Sequence, residues 1–169
     1  MRGEAPKKIL LVRFSSIGDI VLTFPVVAAI KSHFPDCQID YVTKKRFATL
    51  LEACPDLNQT FLLDHSLSQL RQQIDFKQYD VIFDLHHNLR TRLLLWAYGA
   101  KVHRFPKNNL QKWLLTKFKV CPKQRTHVVE RYLQPLSELV PAWKPFYSSL
   151  NYDIPITAQF DVEERFQVK

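Results

Sequence analysis

Eleven residues, Ile9-Leu10-Leu11-Val12-Arg13-Phe14-Ser15-Ser16-Ile17-Gly18-Asp19, carry a strand, a tight loop and the approach to a helix. The apolar run up to Arg13 reads as a buried strand, residues 8–13. It breaks into Ser-Ser-x-Gly-Asp, and an apolar segment with helical spacing follows. In an open α/β sheet, ligands bind outside the carboxyl ends of strands, where loops meet helix N-termini. A carboxylate delivered there faces a substrate, and a helix N-terminus favours its ionised form.

Working outward, the pattern alternates. Residues 19–33 read as a helix that Pro25 either kinks or starts late, and Pro35-Asp36 ends it. Gln38–Thr43 alternates as a strand does. Phe47–Leu51 is helical in pattern, Gln59–Leu63 is a short strand, and Leu67, Leu70 and Ile74 share one helical face. Val81–Leu85 is a continuous apolar strand, as expected when helices cover both sides of a sheet. Leu89–Tyr98 reads as a helix and Val102–Phe105 as a short strand. Two more helices are expected over 108–119 and 126–140. Strands alternating with helices predict a parallel, Rossmann-like α/β sheet with helices on both faces. After Pro141 the aromatic-rich stretch Trp143–Tyr152 reads as an irregular connection. Tyr152–Pro155 is a candidate last strand, and 157–169 a linker or the start of a crossing helix.

The chain has 169 residues, and 46% of them are hydrophobic, enough for one domain with a real core. Gly numbers only 3, which argues against repeats or disorder. Cys37, Cys54 and Cys121 are odd in number and lack C-x-x-C spacing, so free thiols in a reducing compartment are expected. Arg13 and Asp19 interrupt the first apolar run, and residues 20–30 are too short to span a bilayer, which needs about 20 residues. The expectation is a soluble, cytoplasmic protein. The net charge of +8 is unevenly placed. Between His86 and Arg131 lie 11 Lys/Arg and one acid, Glu130, so that segment carries +10 and the rest −2. Such asymmetry implies a basic face for an anionic partner.

The opening block Arg-Phe-Ser-Ser-Ile-Gly-Asp, with Ile-Val-Leu-Thr-Phe-Pro after it, resembles the N-terminal signature of glycosyltransferase family 9, the ADP-heptose:lipopolysaccharide heptosyltransferases of Gram-negative bacteria. Tyr79–Leu85 resembles the family's later strand, whose end faces the cleft. Gly99–Phe105 resembles the strand after it, and His127–Tyr132 the family's His-x-x-Glu-Arg helix. The likeness covers most of residues 8–140. It implies the N-terminal half of a GT-B fold. Residues 1–150 would form the acceptor-binding domain. Residues 151–169 would be a linker or crossover toward a C-terminal nucleotide-sugar domain. Two such domains need roughly twice this length, at ~100–150 residues each, so this portion alone is expected to be inactive. The implied donor is ADP-heptose, and the implied acceptor is an anionic glycolipid, Kdo-lipid A or the inner core. The resemblance implies no cofactor and no metal.

The resemblance also implies that Asp19 is the general base that takes the acceptor hydroxyl proton in an inverting transfer. By residue pattern alone Asp19 is equally a helix cap, and one carboxylate can serve both roles. Ser15, Ser16 and Gly18 shape the turn and offer hydroxyls and N–H groups to a phosphate or sugar oxygen. The alternative there is an ordinary strand-to-helix loop. His86, His87, Asn88, Arg90 and Arg92 follow the strand Val81–Leu85 at the same sheet edge. Arg grips phosphate and carboxylate in bidentate fashion, so His87, Arg90 and Arg92 are acceptor-binding candidates. A solvated basic face is the plainer reading for each. Arg104, Lys107 and Lys112, followed by Lys117 and Lys119, interleave with Phe105, Trp113, Leu114, Leu115 and Phe118. A basic amphipathic stretch of this kind suits an anionic membrane, with peripheral contact at the inner membrane; the alternative is a helix with aromatics in the core and lysines in water. His127, Glu130 and Arg131 fall on one helical face, either supporting the acceptor pocket or forming a surface ion pair.

There is no G-x-G-x-x-G and no Walker motif. No nucleic-acid-binding signature accompanies the basic segment. The competing reading is a non-catalytic α/β module that holds an anionic glycolipid, a membrane surface or nucleic acid.

Overall fold

The computed structural model describes residues 5–105 and 128–139. Five parallel strands form one sheet in the order β3-β2-β1-β4-β5. They are β1 (Lys8–Val12), β2 (Gln38–Lys44), β3 (Gln59–Leu63), β4 (Val81–Asp84) and β5 (Val102–Arg104). The helices are α1 (Ile17–Val21), α2 (Phe24–His33), α3 (Ala48–Leu51), α4 (Leu67–Gln73), α5 (Leu89–Leu94) and α6 (Val128–Leu139). The parallel α/β sheet expected from the alternating pattern is present.

Strand geometry sends alternate side chains to opposite faces, and the core divides accordingly. Ile9, Leu11, Val81, Phe83 and Leu85 pack on one side with residues of α1, α2, α3 and α6. Leu10, Val12, Ile82 and Phe14 pack on the other with Leu70 of α4 and Leu94 of α5. Both faces are thus covered, so β1 and β4 read as unbroken apolar runs. One charged group is buried within β2. Asp40 is 1% exposed, pairs with Lys8 Nζ at 3.2 Å and accepts a hydrogen bond from the Tyr79 hydroxyl at 2.7 Å.

The helix expected over 19–33 is two helices. Helix α1 begins at Ile17 rather than Asp19, and α2 restarts at Phe24 with Pro25 in its first turn. Proline has no N–H to donate, so the first turn, where N–H groups lack helical partners, is where it fits. Thr23 closes the break: its hydroxyl donates to the Ile20 carbonyl at 2.6 Å and contacts the Tyr41 hydroxyl at 2.8 Å. The helix expected over 89–98 ends as α5 at Leu94 and gives way to a 3₁₀ segment, Trp96–Lys101, with a kink at Tyr98. Ile74 is buried but lies just past the end of α4. Of the helix expected over 126–140, residues 128–139 are described. The helix over 108–119, Cys121, the candidate strand Tyr152–Pro155 and the linker 151–169 lie outside the described residues.

Candidate active site

The strand order reverses direction between β1 and β4, the two hydrogen-bonded neighbours from which the chain winds outward both ways. At such a switch point the loops leaving adjacent strands diverge and open a crevice at their carboxyl ends. The loop after β1 carries Arg13 to Ser16 and leads into the first turn of α1, which carries Asp19, and the loop after β4 carries Leu85 to Asn88.

Arg13 is buried, which is costly for a charge unless every donor is used. Its guanidinium donates to the Ser15 carbonyl at 2.6 Å and to the Leu85 carbonyl at 2.5 Å, tying the two loops together. A third nitrogen pairs with Asp19 Oδ2 at 2.5 Å, and the plane sits 5.4 Å from the Tyr132 ring centroid.

Asp19 therefore lies in a cage. Oδ2 accepts from the Ser16 N–H at 3.2 Å, from the Ser16 hydroxyl at 2.9 Å and from Arg13. The backbone contact is the reciprocal half of a capping box, with Ser16 as N-cap and Asp19 at N3. Oδ1 accepts from the Tyr132 hydroxyl of α6 at 3.0 Å. A carboxylate has about four lone-pair sites. Three contacts crowd Oδ2 and one reaches Oδ1, so among the described residues Oδ1 retains an open acceptor direction, and 35% of the side chain faces solvent. Burial pushes the Asp19 carboxyl pKa up, but the Ser16 N–H and hydroxyl, the Arg13 guanidinium and the Tyr132 hydroxyl together hold it below its ordinary value. The group is ionised at neutral pH. Burial pushes the Tyr132 phenol up to about 12, so it stays a donor.

Ser15 is half-buried, whereas Ser16 and Gly18 are exposed. Gly18 has no positive φ, and a Cβ built on it would meet nothing within 4 Å. The described protein does not itself require glycine there; the position leaves open space beside Asp19.

Across the crevice, Asp84 ends β4 fully buried. Its Oδ1 accepts from the His86 and His87 N–H groups at 3.2 and 2.7 Å, and its Oδ2 from the Thr91 hydroxyl at 2.9 Å. Arg104 Nε stands 3.7 Å from Oδ2, an ionic contact rather than a hydrogen bond. His87 adopts φ +45°, a left-handed conformation uncommon outside glycine. The loop holds it there: its Nδ1 lies 2.9 Å from the Phe105 carbonyl, which must accept, so the proton is on Nδ1. Asn88 caps α5 through Oδ1, which accepts from the Thr91 N–H at 2.9 Å. His87 and Arg104 are thus tied into the bracing of the β4 and β5 ends.

Arg90 and Arg92 project from α5 into solvent. Arg90 lines a separate cavity of about 640 Å³ with Lys44, Lys45, Arg46, Asp64 and His65. Within it Lys45 pairs with Asp64 at 2.9 Å. Lys107, Lys112, Lys117, Lys119 and His127 lie outside the described residues. Among the described residues no three His, Cys, Asp or Glu side chains converge on a point that would hold a metal. No described helix is long and apolar enough to cross a membrane.

Four residues of this site were not singled out from sequence: Arg13, Tyr132, Asp84 and Thr91. Arg13 and Asp84 did leave a signal, each being a charge that closes an apolar strand. Tyr132 left none beyond its place beside Glu130 and Arg131.

No protein-family model matches the chain. Lipopolysaccharide heptosyltransferase 3 of Escherichia coli K12 is 23% identical over 135 residues, 72% of this chain and 39% of that protein. The crystal structure of a glycosyl transferase family 9 protein from Veillonella parvula superposes with a TM-score of 0.60 at 19% identity, covering 79% of this chain and 41% of the other. E. coli heptosyltransferase WaaC, solved with ADP-2-deoxy-2-fluoro heptose, superposes with a TM-score of 0.64 at 19% identity, covering 87% and 52%. The chain thus spans about two-fifths to one-half of the length of these proteins. Over that part, in sequence pattern and in fold, it is heptosyltransferase-like and similar to glycosyltransferase family 9.

Proposed function

We propose that this chain is the acceptor-binding part of an inverting glycosyltransferase that moves heptose from ADP-heptose to the lipopolysaccharide inner core. The observation that carries the proposal is the Asp19 carboxylate, held ionised at the switch-point crevice with one Oδ1 direction open. A single displacement needs one such base. The acceptor hydroxyl oxygen bonds to the anomeric carbon, and its proton passes to Asp19. The bond from that carbon to ADP breaks with its electron pair, and ADP leaves. The hydroxyl becomes acidic only as its oxygen attacks, so a weak, fully ionised base suffices. Arg13 and Ser16 hold Oδ2, and Tyr132 holds one side of Oδ1, so the carboxylate is fixed before the acceptor arrives.

Ser15, Ser16 and the open space at Gly18 would receive the acceptor sugar. Arg90, Arg92, Lys107 and Lys112 would meet its phosphates and carboxylates. His87 and Arg104 would act by fixing the opposite wall. Residues 1–150 form the acceptor domain in this reading, and 151–169 lead toward a C-terminal domain that binds the nucleotide sugar. The protein would work in the cytoplasm at the inner membrane, where a lipid acceptor is presented.

The test is calorimetric titration of a soluble, phosphorylated Kdo core analogue into this chain and into Arg90→Ala/Arg92→Ala. Binding to the wild type, weakened about tenfold or more when two charge-assisted contacts go, is the expected result. An acceptor analogue that does not bind the wild type refutes the reading. Turnover by this chain alone with ADP-heptose would refute the assignment of the donor site to a second domain.

A further inference from the structure

Helix α5 is apolar on two opposite sides. Thr91, Leu94 and Leu95 are buried against the sheet. Leu89 and Leu93, at i and i+4, share the opposite face of α5 and are 71% and 58% exposed, and Trp96, which opens the 3₁₀ segment just past the helix, is 81% exposed. Ile17, which opens α1 at the same sheet edge, is 53% exposed. Single exposed apolar residues are ordinary, but three large exposed apolar side chains within eight residues mark a contact surface. The flanks of this surface are cationic. Arg90 and Arg92 border it on α5, and Arg90 joins it to the cavity lined by Lys44, Lys45 and Arg46. A tryptophan and leucines set among arginines and lysines complement a surface with a hydrocarbon interior and anionic headgroups. A protein partner would have to match both halves of that pattern, whereas an anionic bilayer presents them by default.

We propose that Leu89 and Leu93 of α5, with Trp96 just past its end, dock the protein on an anionic membrane surface. This deepens the proposed function, resting on it for why the protein visits a membrane. Helix α5 starts at the crevice edge, where Leu89 follows the β4 loop, so docking by α5 sets the crevice mouth beside the bilayer. A lipid-anchored acceptor then reaches Asp19 without leaving the membrane.

The test is flotation of this chain with vesicles of phosphatidylethanolamine and phosphatidylglycerol, against vesicles of phosphatidylcholine alone, none containing a glycolipid. The wild type is expected to float with the anionic vesicles, less so as salt is raised. Leu93→Gln/Trp96→Gln is expected to lose binding by about tenfold or more, since its apolar area no longer enters the interface. Leu89→Gln is a second, separate variant should the double one fold poorly, and circular dichroism and melting report on folding. Failure of the wild type to float overturns the proposal, as does equal flotation of the variants. A dimer that the double substitution dissolves, with no flotation, also overturns it, because a second copy would then cover this surface. Loss of acceptor-analogue binding with flotation intact would fault the glycosyltransferase reading and leave the docking surface standing.

Discussion

Replacing Arg13 with Met keeps most of the side-chain volume and deletes the charge that ties the crevice together. Three contacts vanish: the pair with Asp19 and the hydrogen bonds to the Ser15 and Leu85 carbonyls. Breaking a buried pair by removing one partner costs about 3–5 kcal/mol. Asp19 is a third exposed, so water re-solvates it and the pair's share falls toward about 1 kcal/mol. The stranded Leu85 carbonyl adds about 1–3 kcal/mol. The expected loss is about 2–4 kcal/mol at pH 7, a drop in Tm of about 5–15 °C for a chain of this size. The sign with pH is definite. In the wild type the Asp19 pKa is lowered, so its contribution is present above the unfolded value, about 3.9, and is lost as pH falls through the folded value. In Arg13→Met burial still raises the carboxyl and its main cation is gone, so protonation relieves the variant. The gap between the two proteins must therefore narrow on acidification. Urea unfolding followed by far-ultraviolet circular dichroism at pH 7 and pH 3 measures it. A loss under about 1 kcal/mol, or an equal loss at both pH values, would refute the reasoning.

Tyr132→Phe removes one donor to Asp19 Oδ1; the carboxyl titration midpoint followed by carbon NMR should move up, and unfolding should be easier by about 1–2 kcal/mol. Gly18→Ala meets nothing within 4 Å, so in α1 it should raise stability by about 0.5–1 kcal/mol. Calorimetric titration should at the same time show weaker acceptor-analogue binding, if the open space is where the sugar sits. Tyr79→Phe leaves buried Asp40 with Lys8 alone and should cost about 1.5–3 kcal/mol, read by urea unfolding at pH 7, with acceptor-analogue binding unchanged.

The sheet was legible because its signal is local and strong. Strands covered on both faces are apolar at every position, and Gln59–Leu63 was read with the bounds it has in the structure. Helix ends were less legible. Whether Pro25 kinks a helix or starts one depends on what caps the turn before it, and the Thr23–Tyr41 contact spans two elements. The end of α5 at Leu94 leaves no Gly or Pro mark in the sequence there, so Leu89–Tyr98 read as one helix.

Asp19 and Ser16 could be read from sequence as a turn with a capping carboxylate, because they lie three residues apart and local geometry suffices. The resemblance to a known family added a role for that carboxylate. The rest of the cage was decided by the folded chain. Arg13 meets the Leu85 carbonyl across 72 residues and Tyr132 meets Asp19 across 113. Contacts at such separations depend on strand order and on which face a helix lays against the sheet, and no local pattern encodes either. The basic segment shows the same division. Its charge was countable in the chain, but only the fold turned Arg104 toward buried Asp84 and brought Arg90 beside Lys44, Lys45 and Arg46. Composition determines how much charge and apolar surface a protein must place; tertiary structure decides which of it is neutralised inside and which is left facing a partner.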